Sequence, residues 1–240
     1  MQRDKFFARV RARPFGGTLT QGQVAGMEAL LDTWRELYSD ADARWIANSL
    51  SQIHRETGGR MEAVRETFAD SSAQAIARLD NAWARGQLTW VRTPYWRTGY
   101  FGRGHIQLTH KANYEKMGKR LGVDLAGKPG LALDPKISAQ IAIVGMVEGH
   151  FTGRKLADYF NGGTDNPAGA RRIVNGPDGT DALIARMHRE FLDALEAAGY
   201  MPGKHTIKAP AQPTPTAPTS GSGFWAALAR VIAKIFGGRK

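Results

Sequence analysis

The 240-residue chain has no cysteine. That excludes a disulfide framework, a thiolate nucleophile and a cysteine-ligated zinc. It also lacks a run of roughly 18 apolar residues, the length a membrane-spanning helix needs. The basic N-terminus, MQRDKFFARVRARPFGG, has too short an apolar core for a secretory signal peptide, so synthesis in the cytosol without a Sec route is expected. H-E-x-x-H is absent, and the six histidines form no recognised ligand pattern, so neither a metal nor a cofactor is expected. Acidic residues are scarce: 22 Asp and Glu face 33 Lys and Arg, for a net charge of +11. Such an excess favours a polyanionic partner, whether nucleic acid, an anionic membrane surface or an acidic wall polymer. No nucleic-acid-binding motif accompanies the charge, so nucleic acid is not the expected partner.

What the chain does have is helical periodicity. In LTQGQVAGMEALLDTW, Val24, Met27, Leu30, Leu31 and Trp34 recur at helical spacing, with Thr20 placed to cap the start. DARWIANSLSQIHRE repeats the pattern with Trp45, Ile46, Leu50 and Ile53, and Gly58-Gly59 supplies a stop. Further helices are predicted over 72–84, 111–121, 136–151 and 181–198. TWVRTPYWRTGYFGRGHIQLT reads as irregular structure with one short hairpin. Residues 1–200 thus read as one mainly α domain with little strand.

From residue 201 the composition changes. KHTIKAPAQPTPTAPTSGSG reads as an extended linker (201–223). In the segment 224–240, FWAALARVIAKIFGGRK, Phe224, Trp225, Leu228, Val231, Ile232, Ile235 and Phe236 form one helical stripe. Residues 201–240 hold six Lys or Arg and no Asp or Glu, which is more than half of the net charge. A helix over 224–236 would span about 20 Å, short of a bilayer core of about 30 Å. It is suited to lying on an anionic membrane or lipopolysaccharide surface; docking on the main domain is the plainer reading.

The stretch IHRETGGRMEAVRETF, residues 53–68, brings Glu56, Glu62 and Glu66 together where a helical pattern stops. Hydrolysis of a glycosidic bond needs two carboxyl groups, one to protonate the leaving oxygen and one to activate water or attack the sugar. Glu56 follows an apolar run at a helix C-terminus, where the dipole disfavours a negative charge and so favours an acid. If 60–68 resumes as helix, Glu62 and Glu66 share a face at i,i+4, and Arg60 and Arg65 could keep a carboxylate ionised. The same residues equally describe a solvated helix end. His54 is expected to pack beside Glu56. Trp83, Trp90, Tyr95 and Trp96 could stack on sugar faces or serve as ordinary core.

YFGRGHIQLTHKANYEKMGKRLGVDL (100–125), taken with HRETGG and ARRIVNG, resembles family 19 glycoside hydrolases, which include plant-type chitinases and related phage endolysins that cut peptidoglycan. The resemblance rests on G-R-G-x-[IL]-Q-L-[ST]-x-x-x-N-Y downstream of E-T-G-G and covers roughly 40–195. The cysteine-free chain and its GGTLTQGQVAGMEALLD leader are closer to the endolysin branch. The resemblance implies a lysozyme-like, two-lobed helical fold around a substrate cleft. It implies Glu56 as general acid, with Gln107 and Thr109 holding substrate and the attacking water. Asn113 and Asn175 would contact sugar, Arg186 corresponds more loosely, and Tyr100 would help shape the cleft floor. Bacterial-type relatives place the second carboxylate about nine residues after the first. Here that position is Arg65, so Glu66 is the expected base and Glu62 the other candidate. Inversion implies carboxyls about 6.5–9.5 Å apart.

The function expected is that of a monomeric endolysin acting on peptidoglycan in the periplasm. A chitinase, and a catalytically dead wall-binding module with a membrane-active tail, are the alternatives.

Overall fold

The computed structural model describes residues 1–200. The linker and amphipathic helix expected over 201–223 and 224–240 lie outside the described residues.

The first predicted helix start is realised closely. Helix α2 (Gln21–Tyr38) begins at Thr20, whose hydroxyl accepts from the Gln23 amide while the Gln23 side chain accepts from the Thr20 amide. This reciprocal arrangement satisfies two donors that the helix itself cannot. Helix α3 (Ala43–Glu56) starts at Asp42, which accepts from the Arg44 amide, and stops ahead of Gly58 and Gly59, both at positive φ. Helices α4 (Ser72–Ala84), α5 (Lys111–Leu121), α6 (Pro135–Glu148) and α7 (Asp181–Ala197) fall where periodicity predicted them. Helix α1 (Arg3–Ala12) was not predicted. Its apolar stripe is short, with Phe6 and Val10 as its buried residues, and it is held by packing on α7.

Strand is confined, among the described residues, to a two-stranded antiparallel sheet: β1 (Val64–Arg65) pairs with β2 (Arg103–Gly104), Val64 opposite Gly104. Arg103 also bridges to Leu108, their amides and carbonyls exchanging hydrogen bonds at 3.2 and 2.8 Å. The hairpin read from the aromatic stretch is therefore this tight 103–108 loop, with a third segment, 64–65, added on its other side.

The largest apolar cluster joins α1, α2, α3, α6 and α7 through Phe6, Leu30, Ile46, Leu50, Ile143 and Phe191. A second cluster stands apart, built by α4 and residues 88–101 around Leu79, Trp96 and Phe101. A third places α5 on the opposite side of α6, through Tyr114, Met117 and Ile141. Residues 57–71 connect the first cluster to the second, so the two glutamates of interest sit on different cores.

Candidate active site

Glu56 is the last residue of α3. The helix is buried almost all round, from Trp45 to Ile53, which holds its C-terminus firmly. The Glu56 side chain retains about 10% exposure, and its Oε1 lies 2.6 Å from Nη2 of Arg171. This contact is an ion pair without the alignment of a hydrogen bond. Arg171 is wholly buried and is held from three sides. Its Nη1 donates to Gln52 Oε1 at 2.9 Å, and its Nε and Nη2 donate to Asp178 Oδ2 at 3.2 and 2.8 Å. Arg171 thus bridges two acids. Its buried charge is tolerable because both partners and a neutral amide surround it. Its protonated form is reinforced despite burial, and the same contact, with the Thr180 bonds, lowers Asp178 to about 2.

After Glu56 the chain does not resume as helix. Gly58, Gly59 and Met61 all have positive φ, and 60–63 runs irregularly into β1. Glu62 and Glu66 therefore share no helical face, which corrects the i,i+4 expectation. Glu62 is exposed, and its carboxylate packs against Gly22 of α2, where an added Cβ would collide with Oε2. The backbone reversal at the glycines turned Glu62 toward α2 and Glu66 toward the second cluster. The loop closes on itself: a Cβ on Gly58 would lie 3.3 Å from the tip of Phe68, and Arg60 sits over that ring at 4.4 Å. Residues two beyond each glutamate are thus in contact.

Glu66 opens a 3₁₀ turn (Glu66–Phe68) and is about 1% exposed. Tyr95 Oη donates to its Oε1, and the Gly102 amide donates to its Oε2 at 2.7 Å. Its own amide donates to the Gly102 carbonyl at 2.7 Å, extending the β1–β2 pairing by one residue. Desolvation pushes this carboxyl up to about 7, over the opposing effects of the Tyr95 and Gly102 bonds and the Arg103 charge. Gly102 is required here: a Cβ would meet Gln107 Oε1 at 2.7 Å and Glu66 Oε2 at 3.3 Å. That pair of contacts also brings Gln107 and Glu66 to one place.

The G-R-G-x-I-Q-L-T segment is a scaffold around that place. Arg103 donates to the carbonyls of Gly99 and Phe101 and to the Tyr114 hydroxyl, with its guanidinium 3.7 Å above the Phe101 ring. His105 is fully buried and lowered to about 4 by desolvation, hence neutral. Because the Met61 carbonyl can only accept, His105 donates through Nε2 to it, and the Ser138 hydroxyl donates to Nδ1. That imidazole ties the loop to α6 and to the 57–65 segment. Gln107 donates both amide hydrogens, to Val64 O at 2.9 Å and Gly104 O at 3.1 Å, leaving Oε1 toward Gly102 and Glu66. Thr109 is buried, its hydroxyl donating to Gln107 O, and Asn113 Nδ2 donates to Thr109 O.

Five non-glycine residues among those described have positive φ: Met61, Thr67, Phe68, Gln107 and His110. All lie on the two segments carrying Glu66 and Gln107. Each such conformation costs on the order of 1–3 kcal/mol, and such strain gathers at functional sites.

Other expected residues are less directly placed. Trp96 is fully buried, its Nε1 donating to Asp80 Oδ1, so a sugar cannot reach its face; it is core, because α4 covers it. Tyr100 is half-buried, with its hydroxyl donated to Ala126 O at 2.9 Å. Asn175 is buried and accepts from the Gly176 amide. Arg186 is exposed on α7, and its charge joins desolvation in lowering His54 to about 4. His54 packs on Phe15 and Phe191, as a core neighbour of Glu56. Arg171 has no assigned part in the sequence reading, and Tyr95, read there as sugar-stacking or core, is instead a buried hydrogen-bond donor to Glu66. Arg171 lay within the quoted ARRIVNG, and nothing in spacing ties it to Glu56.

Among the described residues, no three His, Asp or Glu side chains cluster for a metal. A cavity of about 330 Å³ opens beside Tyr38, Arg120 and Glu148, lined by none of the residues above.

Residues 36–150 match the family model described as chitinase class I. The curated proteins similar to the chain include acidic endochitinase pcht28 of Solanum chilense, 55% identical over 47 residues, which is 18% of this chain and 19% of that protein. Chitinase 11 of Oryza sativa subsp. japonica is 51% identical over 45 residues, 18% of each chain. The chain thus aligns with under a fifth of the length of these relatives. Among solved structures, chitinase C from Streptomyces griseus HUT6037 overlaps with a TM-score of 0.48 at 18% identity, covering 84% of this chain and 78% of that one. A bacterial family 19 chitinase overlaps at 0.44 and 18% identity, covering 84% and 96%.

Proposed function

We propose that this chain, whose residues 36–150 match the family model described as chitinase class I, is a family 19 glycoside hydrolase that cleaves the glycan strands of bacterial peptidoglycan as an endolysin. The observation that carries the catalytic reading is the contrast between Glu56, paired with Arg171, and Glu66, buried with its carboxyl raised to about 7 beside Gln107. Two carboxyls in unlike settings are what acid/base cleavage of a glycosidic bond requires.

In this reading Glu56 takes up a proton from solvent as substrate binds and gives it to the leaving oxygen, and Arg171 stabilises the carboxylate left behind. Glu66 takes a proton from the water that attacks the anomeric carbon on the opposite face, giving inversion. A base titrating near 7 is well matched to neutral conditions. The free Oε1 of Gln107 and the hydroxyl of Thr109 hold that water. Asn113, Tyr100 and Arg186 line the approach of the sugar chain, whereas Asn175, buried with its Oδ1 accepting from the Gly176 amide, supports the loop from inside rather than contacting sugar.

The same contrast favours a second assignment with the roles exchanged, since Glu66 is the carboxyl that holds a proton near neutrality. Substrates with an activated leaving group separate the two: they restore rate to the variant lacking the acid and not to the one lacking the base.

Peptidoglycan as substrate is supported by the cysteine-free, strongly basic chain and its endolysin-like GGTLTQGQVAGMEALLD stretch. Chitin is the rival, favoured by the names of the similar curated proteins. Purified sacculi and chitin oligomers, digested in parallel and analysed by mass spectrometry, decide between them. New reducing ends from sacculi support the endolysin; turnover of chitin alone supports the chitinase; freed stem peptides would refute both. A Glu56→Gln variant that lyses cells as well as the parent would instead favour a dead wall-binding module.

The six basic residues of 201–240 are proposed to bring the enzyme to an anionic envelope surface. Equal activity on intact and permeabilised cells after deletion of 204–240 would remove that role. The protein is proposed to act as a monomer on the wall side of the host's inner membrane.

A further inference from the structure

We propose that Tyr95 is a positioning residue for Glu66: with the Gly102 amide it fixes the plane of the carboxyl and stabilises its charge. The inference rests on the reading of Glu66 as a catalytic carboxyl.

Two donors from two separate parts of the chain meet the two oxygens of one side chain. The Tyr95 hydroxyl reaches Oε1 from the 3₁₀ turn Tyr95–Thr98, and the Gly102 amide reaches Oε2 from the approach to β2. With each oxygen held separately, rotation of the carboxyl about its last bond breaks both contacts. Tyr95 is itself held. Its ring is about 9% exposed and lies edge-on to Trp96 at 5.1 Å and to His110 at 5.0 Å. Trp96 is anchored through Asp80 on α4 at 2.8 Å. A continuous run of contacts therefore leads from α4 through Trp96 and Tyr95 to Glu66.

Beyond these two donors, Arg103 from β2 acts electrostatically on this carboxyl, and the carboxylate's charge in turn contributes to raising Tyr114 on α5. The Arg103 hydrogen bonds go to Gly99 O, Phe101 O and the Tyr114 hydroxyl, so its influence on Glu66 is through space. Tyr95 is thus the side chain whose hydroxyl contacts the carboxyl. The choice of a phenol matters chemically. A guanidinium in the same place would hold the group ionised at any working pH, as a neutral donor does not. A phenol orients the carboxyl and offsets part of the cost of burying its charge, leaving it able to gain and lose a proton near neutrality.

The test replaces only the hydroxyl. In Tyr95→Phe the ring and its contacts remain while the donor is lost, so the ionised form loses support. Glu66 should then titrate about one pH unit or more higher, the scale of a hydrogen bond to a charged group. The read-outs are ¹³C titration of labelled glutamate, with the Glu66 resonance assigned by Glu66→Gln, and the pH profile of kcat/KM on soluble glycan fragments from sacculi and on chitin oligomers. The limb governed by Glu66 should move upward with the resonance. If that limb is the acidic one, the variant loses about tenfold near pH 6 and recovers at higher pH. Incorporation of 3,5-difluorotyrosine at position 95 gives a stronger donor of nearly the same shape and should move both midpoints downward. These opposite shifts would not arise from damage to packing, and the fluorinated protein keeps the test open if Tyr95→Phe folds poorly.

Unchanged midpoints in both variants, with Glu66→Gln inactive, would overturn the inference and leave Glu66 catalytic. Parental turnover by Glu66→Gln would overturn the catalytic reading and the inference with it.

Discussion

Glu56 and Glu66 carry the same side chain on one short segment, yet the fold gives them opposite surroundings. Glu56 ends a 14-residue helix in the large core, keeps a little exposure, and meets a buried guanidinium shared with Asp178. Glu66 stands on the edge of the smaller cluster, enclosed, with a phenol and a backbone amide as its hydrogen-bond donors. The difference lies in the partner. A permanent cation supplies charge compensation to one; neutral dipoles supply orientation to the other without cancelling the cost of burial.

The largest expected effect tests whether both carboxyls act. Glu56→Gln and Glu66→Gln should each lower kcat by about 10²–10⁴-fold, the usual range for a general acid or base. A leaving-group series should then rescue one of them alone. Loss of only one activity would break the comparison.

The next test removes the cation. Arg171→Met leaves Glu56 and Asp178 facing each other without compensation, and should destabilise the protein by about 3–5 kcal/mol in urea titrations at pH 7. The loss should be much smaller in an Arg171→Met, Asp178→Asn, Glu56→Gln triple variant.

Glu66 should show the opposite sign. Its folded midpoint, about 7, lies above the ordinary 4.5, so the ionised form is disfavoured by folding. Stability linked to this group is complete below about 4.5 and declines as pH rises through about 7. Glu66→Gln should therefore be more stable than the parent at pH 8, by up to about 3 kcal/mol from that shift, with the advantage disappearing at pH 4.5. Denaturant midpoints at the two pH values measure it.

The smallest effect sharpens the comparison within the active enzyme. If Glu66 is the base, kcat/KM should rise through a midpoint near 7 and level off above it. A profile that instead falls through 7 would assign Glu66 the acid's part.

Much of the helical fold was readable because its signals are local. The start at Thr20 and the stop at Gly58-Gly59 both act within a turn or two of sequence. α1 escaped notice since only Phe6 and Val10 mark its buried side, and its partner, α7, is far along the chain. The site divides in the same manner. Glu56 at a helix end followed from periodicity, while the helical continuation that would have joined Glu62 to Glu66 failed at Met61, whose positive φ no residue pattern signals. Trp96 looked as fit for sugar stacking as for core, and only the cover of α4 decided it.

The sequence by itself determined where α2 to α7 lie, that charge is strongly positive, and which motif residues cluster along the chain, because capping, periodicity and composition are properties of neighbours. Tertiary structure alone decided that Arg171 meets Glu56, that Tyr95 meets Glu66, and that Glu62 turns away. Those pairings join residues far apart in sequence, and a carboxyl's protonation depends on what surrounds it in space: burial, a cation or a hydroxyl, none of which the adjacent residues specify.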